Sequence, residues 1–333
     1  VPFDAFIGNS AIIARLRSKL MQERLPHGLI FSGPEGVGKR TCALMTAKAL
    51  NCRGHDFCGT CPQCRKIDLG VHPDVTMIGL EDKASEIKIA QVRRLVESLD
   101  LRPLEGRNKV VIIDPADALN PAAANALLKS LEEPPDDSFL FLLTTNAHKL
   151  LPTLRSRCQT YHFTPLAMDE LLKFADAGTD ELVLRWSRGS VGRLRSLDAA
   201  ALRRQRDAVL DFLETSVYAS ETDFQDVIHS SEDMASKQDF ESNLEVLCVL
   251  LSDLLYLREG APEKITNIDA EARLRKIADE VSAERLLRLG ETIRTMEAGM
   301  KGYANLRLLT DVFALTANQA VAKILNDNAE KSR

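Results

Sequence analysis

Aromatic residues are scarce in this chain. Tryptophan, tyrosine and phenylalanine together make up 5% of it, with a single tryptophan. Helix formers dominate instead, so a largely helical protein is the first expectation. Long apolar runs are missing as well. FLFLL (Phe139 to Leu143) is typical of the longest, and it is far too short to cross a bilayer. The opening residues VPFDAFIGNS hold no basic segment followed by an apolar one. No signal peptide and no membrane partner are therefore expected, and the cytoplasm is the default location. Neither sign of charge dominates: 43 Lys and Arg against 48 Asp and Glu leave a formal net charge of −5. This argues against a wholly basic nucleic-acid coat. It leaves room for a local basic strip, or for a place beside DNA within a larger assembly. The seven cysteines are too unevenly spread for a disulfide scaffold. Four cluster between Cys52 and Cys64, whereas Cys42, Cys158 and Cys248 are scattered.

What is present suits a globular chain with full cores: 45% hydrophobic residues, 27% charged, and 333 residues, enough for two or three domains. The first 165 residues alternate short strands with helices. LIFSG (Leu29–Gly33) reads as a strand ending in a Gly-rich turn, and TCALMTAKAL (Thr41–Leu50) as a helix. DVTMIGL, KVVIID (Lys109–Asp114) and SFLFLLTT read as further strands, the last two buried in a parallel sheet. IKIAQVRRLVESLDL has helical spacing. NPAAANALLKSLEE starts a helix with Asn120 as N-cap and Pro121 at the first helical position. The SLEEPP segment reads as a helix end held stiff by Pro134 and Pro135. Alternating strands and helices predict a parallel α/β domain over residues 1–165.

After Pro165 the strand signals stop. Residues 166–205 predict a small helical domain with short pieces around RWSRGSVGR. From Leu202 the sequence reads as long amphipathic helices, among them RRQRDAVLDFLETSV, NLEVLCVLLSDLLYLREG and ANLRLLTDVFALTANQAVAKIL, broken at GAPEKITN and GMKGY, and residues 206–333 are expected to form an all-helical domain. No internal repeat or low-complexity segment is found.

GPEGVGKR (Gly33–Arg40) fits all but the last position of the phosphate loop G-x-x-x-x-G-K-[ST], and it stands between a strand and a helix. Small residues at Gly33, Gly36 and Gly38 let the backbone curl so that its N–H groups face phosphates, and the helix N-terminus adds a favourable field. Lys39 would reach the β- and γ-phosphates. Position 40 breaks the pattern. A Ser or Thr there puts a hydroxyl on Mg²⁺, whereas Arg40 has no acceptor and carries a positive charge. Thr41 comes one residue late, about 100° around the helix. Nucleotide binding through the backbone and Lys39 stays open, but ordinary Mg²⁺ coordination is not expected.

VVIIDPAD (Val110–Asp117) is an apolar strand ending in Asp114, the carboxylate expected beside Mg²⁺. In ATPases of the AAA+ type a Glu follows and polarises the attacking water. Pro115 stands there and offers no base. Asp117 belongs to the next turn. With both the Mg²⁺ hydroxyl and the general base missing, a site that does not hydrolyse ATP is expected. Asn146 in TTN (Thr144–Asn146) could meet a γ-phosphate or water, or could simply cap the strand end.

Cys52, Cys58, Cys61 and Cys64 form C-x5-C-x2-C-x2-C with glycine and proline between them. Four thiolates in so tight a loop can surround one Zn²⁺ tetrahedrally, with no open catalytic position. His55 is a spare candidate ligand.

PHGLIFSGPEGVGKR, the four-cysteine insertion, NPAAANALLKSLEEPP and TLRSRCQTYHF together resemble the clamp-loader subunits of bacterial DNA polymerase III, the delta-prime family in particular. GSVGR (Gly189–Arg193) resembles the family's second-domain sensor region. The C-terminal helices match its collar domain less specifically. The related gamma/tau subunits share the zinc module and the Ser-Arg-Cys motif but keep the P-loop Thr and the Walker B Glu, so the departures at Arg40 and Pro115 favour delta-prime. The resemblance implies an AAA+ P-loop domain, a helical lid and an all-helical collar. It also implies a replisome role in a ring with gamma/tau and delta subunits that opens a sliding clamp and places it on primer-template DNA. Arg157 in Ser156-Arg157-Cys158 looks like an arginine finger reaching a neighbour's γ-phosphate. From spacing alone, a local pair with a carboxylate is equally good. Arg193 resembles the sensor-2 arginine, with a packing role equally open. A motor ATPase and a stand-alone DNA-binding module are the rival readings.

Overall fold

A computed structural model describes residues 3–54, 56–81, 84–99, 101–219, 224–235, 239–301 and 304–318. The contacts divide it into two units: Val1–Gly178 with Ser187–Ser196, and Thr179–Trp186 with Leu197 onward. The strands are β1 (Gly28–Ser32), β2 (Val75–Ile78), β3 (Lys109–Ile113), β4 (Ser138–Thr144) and β5 (Gln159–His162). Helices of the N-terminal part are α1 (Ser10–Met21), α2 (Lys39–Asn51), α3 (Pro62–Asp68), α4 (Ile89–Leu99), α5 (Pro121–Ala126), α6 (Leu128–Glu132), α7 (Pro152–Arg155) and α8 (Met168–Leu171). Then follow α9 (Glu181–Ser187), α10 (Val191–Ser196), α11 (Ala199–Tyr218), α12 (Phe224–Met234), α13 (Phe240–Arg258), α14 (Glu271–Glu280), α15 (Ala283–Lys301) and α16 (Leu306–Ala317).

In the first unit the five strands form one sheet in the order β2-β3-β4-β1-β5, every pairing parallel. All five residues of β1 and of β3 are buried, which explains their nearly continuous apolar sequences, interrupted only by Ser32 and Lys109. Side chains alternate between two cores. Leu29 and Phe31 join α1 and α2 on one face, while Ile30 joins α4 to α6 on the other. The four strands expected from the sequence are present. The fifth, β5, is an edge strand whose QTYH sequence carries no apolar run. The expected helix over NPAAANALLKSLEE is present with a turn at Leu127, and the Asn120 side chain accepts from Ala123 N–H at 2.8 Å, as an N-cap should.

The second unit is all-helical among the described residues. Leu210, Leu213, Leu247, Leu250, Leu289 and Phe313 lie at the centre of its core. A buried carboxylate, Asp253, accepts from Thr266 N–H (2.7 Å), Asn267 N–H (2.9 Å) and Asn267 Nδ2 (2.7 Å). The indole of Trp186 donates to Asn267 Oδ1 at 3.0 Å, which ties most of α9 into this unit. The last seven residues of ANLRLLTDVFALTANQAVAKIL, from 319, lie outside the described residues. No helix among the described residues is long and apolar enough to cross a membrane.

Candidate functional site

The carboxyl ends of β1, β3 and β4 meet at a cavity of about 870 Å³ in the first unit. Parallel α/β sheets offer their binding crevices at this edge. The loop after β1 supplies one wall. Gly36 and Gly38 have φ of 71° and 95°, and a Cβ on Gly38 would come within 2.8 Å of the Phe6 ring. Only glycine suits that turn and that approach. Gly38 caps α2 with no side chain of its own, so the first N–H groups of the helix face the loop.

Lys39 is buried, and its ammonium turns back on the loop, donating to Gly33 O and Pro34 O at 2.6 Å each. Burial holds its pKa below the usual lysine range, against the opposing pull of Asp114, Glu35 and Asp117. Next to it, Arg40 Nε donates to Asp114 Oδ2 at 2.6 Å. The carboxylate that would face a divalent cation thus already has a cationic partner, built into the chain. Thr41 and Pro115 also line the cavity, and Glu35, on the loop itself, is its other carboxylate. Asp117 is turned away: Thr145 Oγ1 donates to it at 2.8 Å, with Lys149 3.6 Å away. Burial would raise its pKa, but the Thr145 hydrogen bond and its neighbours hold it below the usual carboxylate range.

Gly36, Gly38, Lys39, Thr41 and Asp114 therefore share one cavity. Gly33 does not line it; its N–H donates to Thr144 O at 3.2 Å. Asn146 and Arg193 do not line it. The Asn146 side chain accepts from His148 N–H at 2.9 Å and caps the short turn Ala147–Lys149. Arg193 lies on α10, whose Gly192 and Arg195 do line the cavity. Gly192 N–H donates to Gly36 O at 3.3 Å, so α10 touches the phosphate loop itself. Thr144 and Thr145, from the TTN segment flagged for phosphate or water, line the cavity, whereas Phe6 and Arg195 carried no sequence signal for it.

Cys52 follows the last residue of α2, and Cys61 caps α3, accepting from Cys64 N–H at 3.5 Å. The four sulfurs lie within 4.8 Å of one another, with Cys52 3.7 Å from Cys58 and 3.9 Å from Cys61. A tetrahedral zinc with Zn–S near 2.3 Å places its sulfurs about 3.8 Å apart, so these residues fit the ion. The Cys58 thiol is lowered to about 6, chiefly by hydrogen bonds from Thr60, while burial pushes Cys64 up to about 12. A bound Zn²⁺ would hold both as thiolates and close the loop around itself. His55 lies outside the described residues. Phe57, between the cysteines, lines the phosphate-loop cavity and has the ammonium of Lys48 5.3 Å from its ring centroid.

Arg157 follows α7 in the same unit. Its Nη2 pairs with Glu132 Oε1 at 2.5 Å, and its Nη1 donates to Thr153 O at 3.0 Å and Ser156 Oγ at 3.3 Å. The side chain keeps 34% of its exposure. Arg155 is turned to His148 at 3.0 Å.

Two family models match the chain: "DNA polymerase III, delta subunit" over residues 8–167, and "DNA polymerase III, delta subunit, C terminal" over residues 204–313. DNA polymerase III subunit delta' of Escherichia coli K12 is 30% identical over 298 residues, covering 86% of this chain and 87% of that protein. Subunit delta' of Bacillus subtilis 168 is 38% identical over 157 residues, or 46% of this chain and 47% of that one. Subunit tau of E. coli K12 is 37% identical over 172 residues, 51% of this chain but only 26% of the tau chain.

Proposed function

The chain belongs to the delta-prime family of DNA polymerase III clamp-loader subunits, and from that premise we propose that it is a non-hydrolysing member of the loader that serves a neighbour's active site. The observation that carries this reading is the Arg40–Asp114 ion pair of 2.6 Å. A motor subunit uses position 40 for a Mg²⁺-bound hydroxyl and the Walker B carboxylate for the same ion. Here a guanidinium stands in that place, and it can neither bind Mg²⁺ nor leave without stripping Asp114 of its partner. Pro115 removes the general base as well. What remains useful is outward-facing: Arg157 reaches a gamma/tau neighbour's γ-phosphate and stabilises charge in its transition state. A guanidinium suits this task because it is planar, permanently charged and able to contact two oxygens.

The partners on this reading are the gamma/tau and delta subunits, with the sliding clamp and primer-template DNA engaged through the assembly in the bacterial cytoplasm. Residues 166–205 act as the lid and 206–333 as the oligomerising collar. Zn²⁺ is a structural cofactor held by Cys52, Cys58, Cys61 and Cys64. ATP and Mg²⁺ have no catalytic part in this chain's own cavity. The test is ATP hydrolysis by the pure chain, by its gamma/tau and delta partners, and by the full mixture with clamp and primed DNA. The expected result is silence alone and a strong rise in the mixture. Robust turnover by the pure chain, abolished by Lys39→Ala, would make it a motor and overturn the reading.

A further inference from the structure

Gly28 and Leu131, both buried, meet the half-buried Cys158 where β1 begins. Gly28 has no side chain, and a Cβ there would come within 2.7 Å of Leu131 Cδ2, 2.8 Å of Cys158 Sγ and 3.3 Å of Arg157 O. The missing methyl lets α6 and the segment after α7 close on the same strand end. Burial pushes the Cys158 thiol up to about 12, so it stays neutral and behaves as a small apolar side chain. Leu131 belongs to the same core. Leu131 and Cys158 each have a charged chain neighbour at the surface: Glu132 follows Leu131, and Arg157 precedes Cys158. The knot at Gly28 thereby holds the two charged residues side by side.

The position of Glu132 is also set from the other direction. The residue before a proline is kept out of helical conformation. Glu133, which precedes Pro134, has φ −125° and ψ 71°, and α6 ends at Glu132. Glu132 is therefore the last helical residue, its backbone fixed by the turn before it and the prolines after it.

We infer that Glu132 is the positioning residue for Arg157, holding the guanidinium at the angle in which it meets a neighbouring subunit's nucleotide. The inference rests on the proposed role of Arg157 as a finger. A guanidinium has five N–H groups. Thr153 O and Ser156 Oγ accept from Nη1, and Glu132 Oε1 forms an ion pair with Nη2 at 2.5 Å. Among the described residues no hydrogen bond engages Nε. Glu132 thus holds the guanidinium at Nη2, and Nε is left to meet a phosphate oxygen. At 34% and 49% side-chain exposure the pair adds little to stability. Its value lies in orientation, because an arginine already fixed in a productive rotamer loses less freedom when it engages.

The experiment uses the full chain assembled with its gamma/tau and delta partners, reading DNA-stimulated ATP hydrolysis and subunit incorporation. Glu132→Ala is expected to lower kcat roughly threefold to tenfold with KM for ATP unchanged. Glu132→Gln, whose amide oxygen still accepts from the guanidinium, should keep at least about half of the rate. Glu132→Met preserves bulk without an acceptor and should match the alanine variant, which keeps the test valid if the alanine chain incorporates poorly. In an Arg157→Ala background, Glu132→Ala should change the rate less than about twofold, because it has no finger left to orient. Wild-type or faster turnover from Glu132→Ala would overturn the inference, as would an equal loss in both backgrounds. An Arg157→Ala chain that leaves turnover unchanged would instead sink the finger reading itself, and the two failures are thus distinguishable.

Discussion

The phosphate loop and the Ser156–Cys158 corner sit in the same unit and treat their cations in opposite ways. At the loop, Lys39 is spent on Gly33 O and Pro34 O, and Arg40 is spent on Asp114. At the corner, Arg157 pairs with Glu132 and donates to Thr153 O and Ser156 Oγ, with a third of its side chain exposed. On the proposed reading, one charged group is silenced and another readied by the same kind of contact; what differs is which donors are used. Exposure does not separate the two, since Arg40 keeps 62% and Arg157 34% of its side-chain exposure; the partner does, because Asp114 lines the cavity and Glu132 does not.

Metal removal should move this comparison the most. The cysteine module hangs from the end of α2 and contributes Phe57 to the cavity wall, whereas the Arg157 corner draws on β1, α6 and α7. One zinc per chain is expected by elemental analysis. Stripping it should cost about 3 kcal/mol and lower the thermal midpoint by about 5–10 °C. A preparation never exposed to chelator that holds no zinc would remove the metal from this account, as would a midpoint indifferent to its loss.

A smaller change sharpens the contrast from the other side. Arg40→Thr takes the guanidinium from Asp114 and restores a hydroxyl at the metal-binding position of the loop. Nucleotide binding should then become Mg²⁺-dependent and at least about tenfold tighter with Mg²⁺ than with EDTA, as read by titration with a fluorescent nucleotide. Equal binding with and without Mg²⁺ in that variant would mean that Arg40 is not what keeps the cation away.

Much of this was legible in the sequence. Buried parallel strands announce themselves as apolar runs, so β1, β3 and β4 could be read directly, while the polar edge strand β5 could not. The cysteine spacing predicted a cluster that the geometry brings within reach of one ion. The departures at Arg40 and Pro115 were visible as letters. That Arg40 turns to Asp114 was not, because the two are 74 positions apart and meet only across the sheet. The Trp186 side chain is likewise explained by Asn267, 81 positions on, which no local pattern foretells. Asn146 was a candidate for the nucleotide, and its side chain caps a turn instead, the alternative its strand-end position had left open. Local propensity reveals elements and motifs. Which charged group meets which carboxylate is decided by topology.

The most direct test of the central claim sets the two regions against each other in one assembled complex. Lys39→Ala and Arg157→Ala are each built into the loader, incorporation is verified, and DNA-stimulated ATP hydrolysis is measured at saturating ATP. The account predicts that Lys39→Ala changes turnover by less than about twofold, while Arg157→Ala lowers it by about tenfold or more. The reverse pattern, a loss with Lys39→Ala and none with Arg157→Ala, would contradict it.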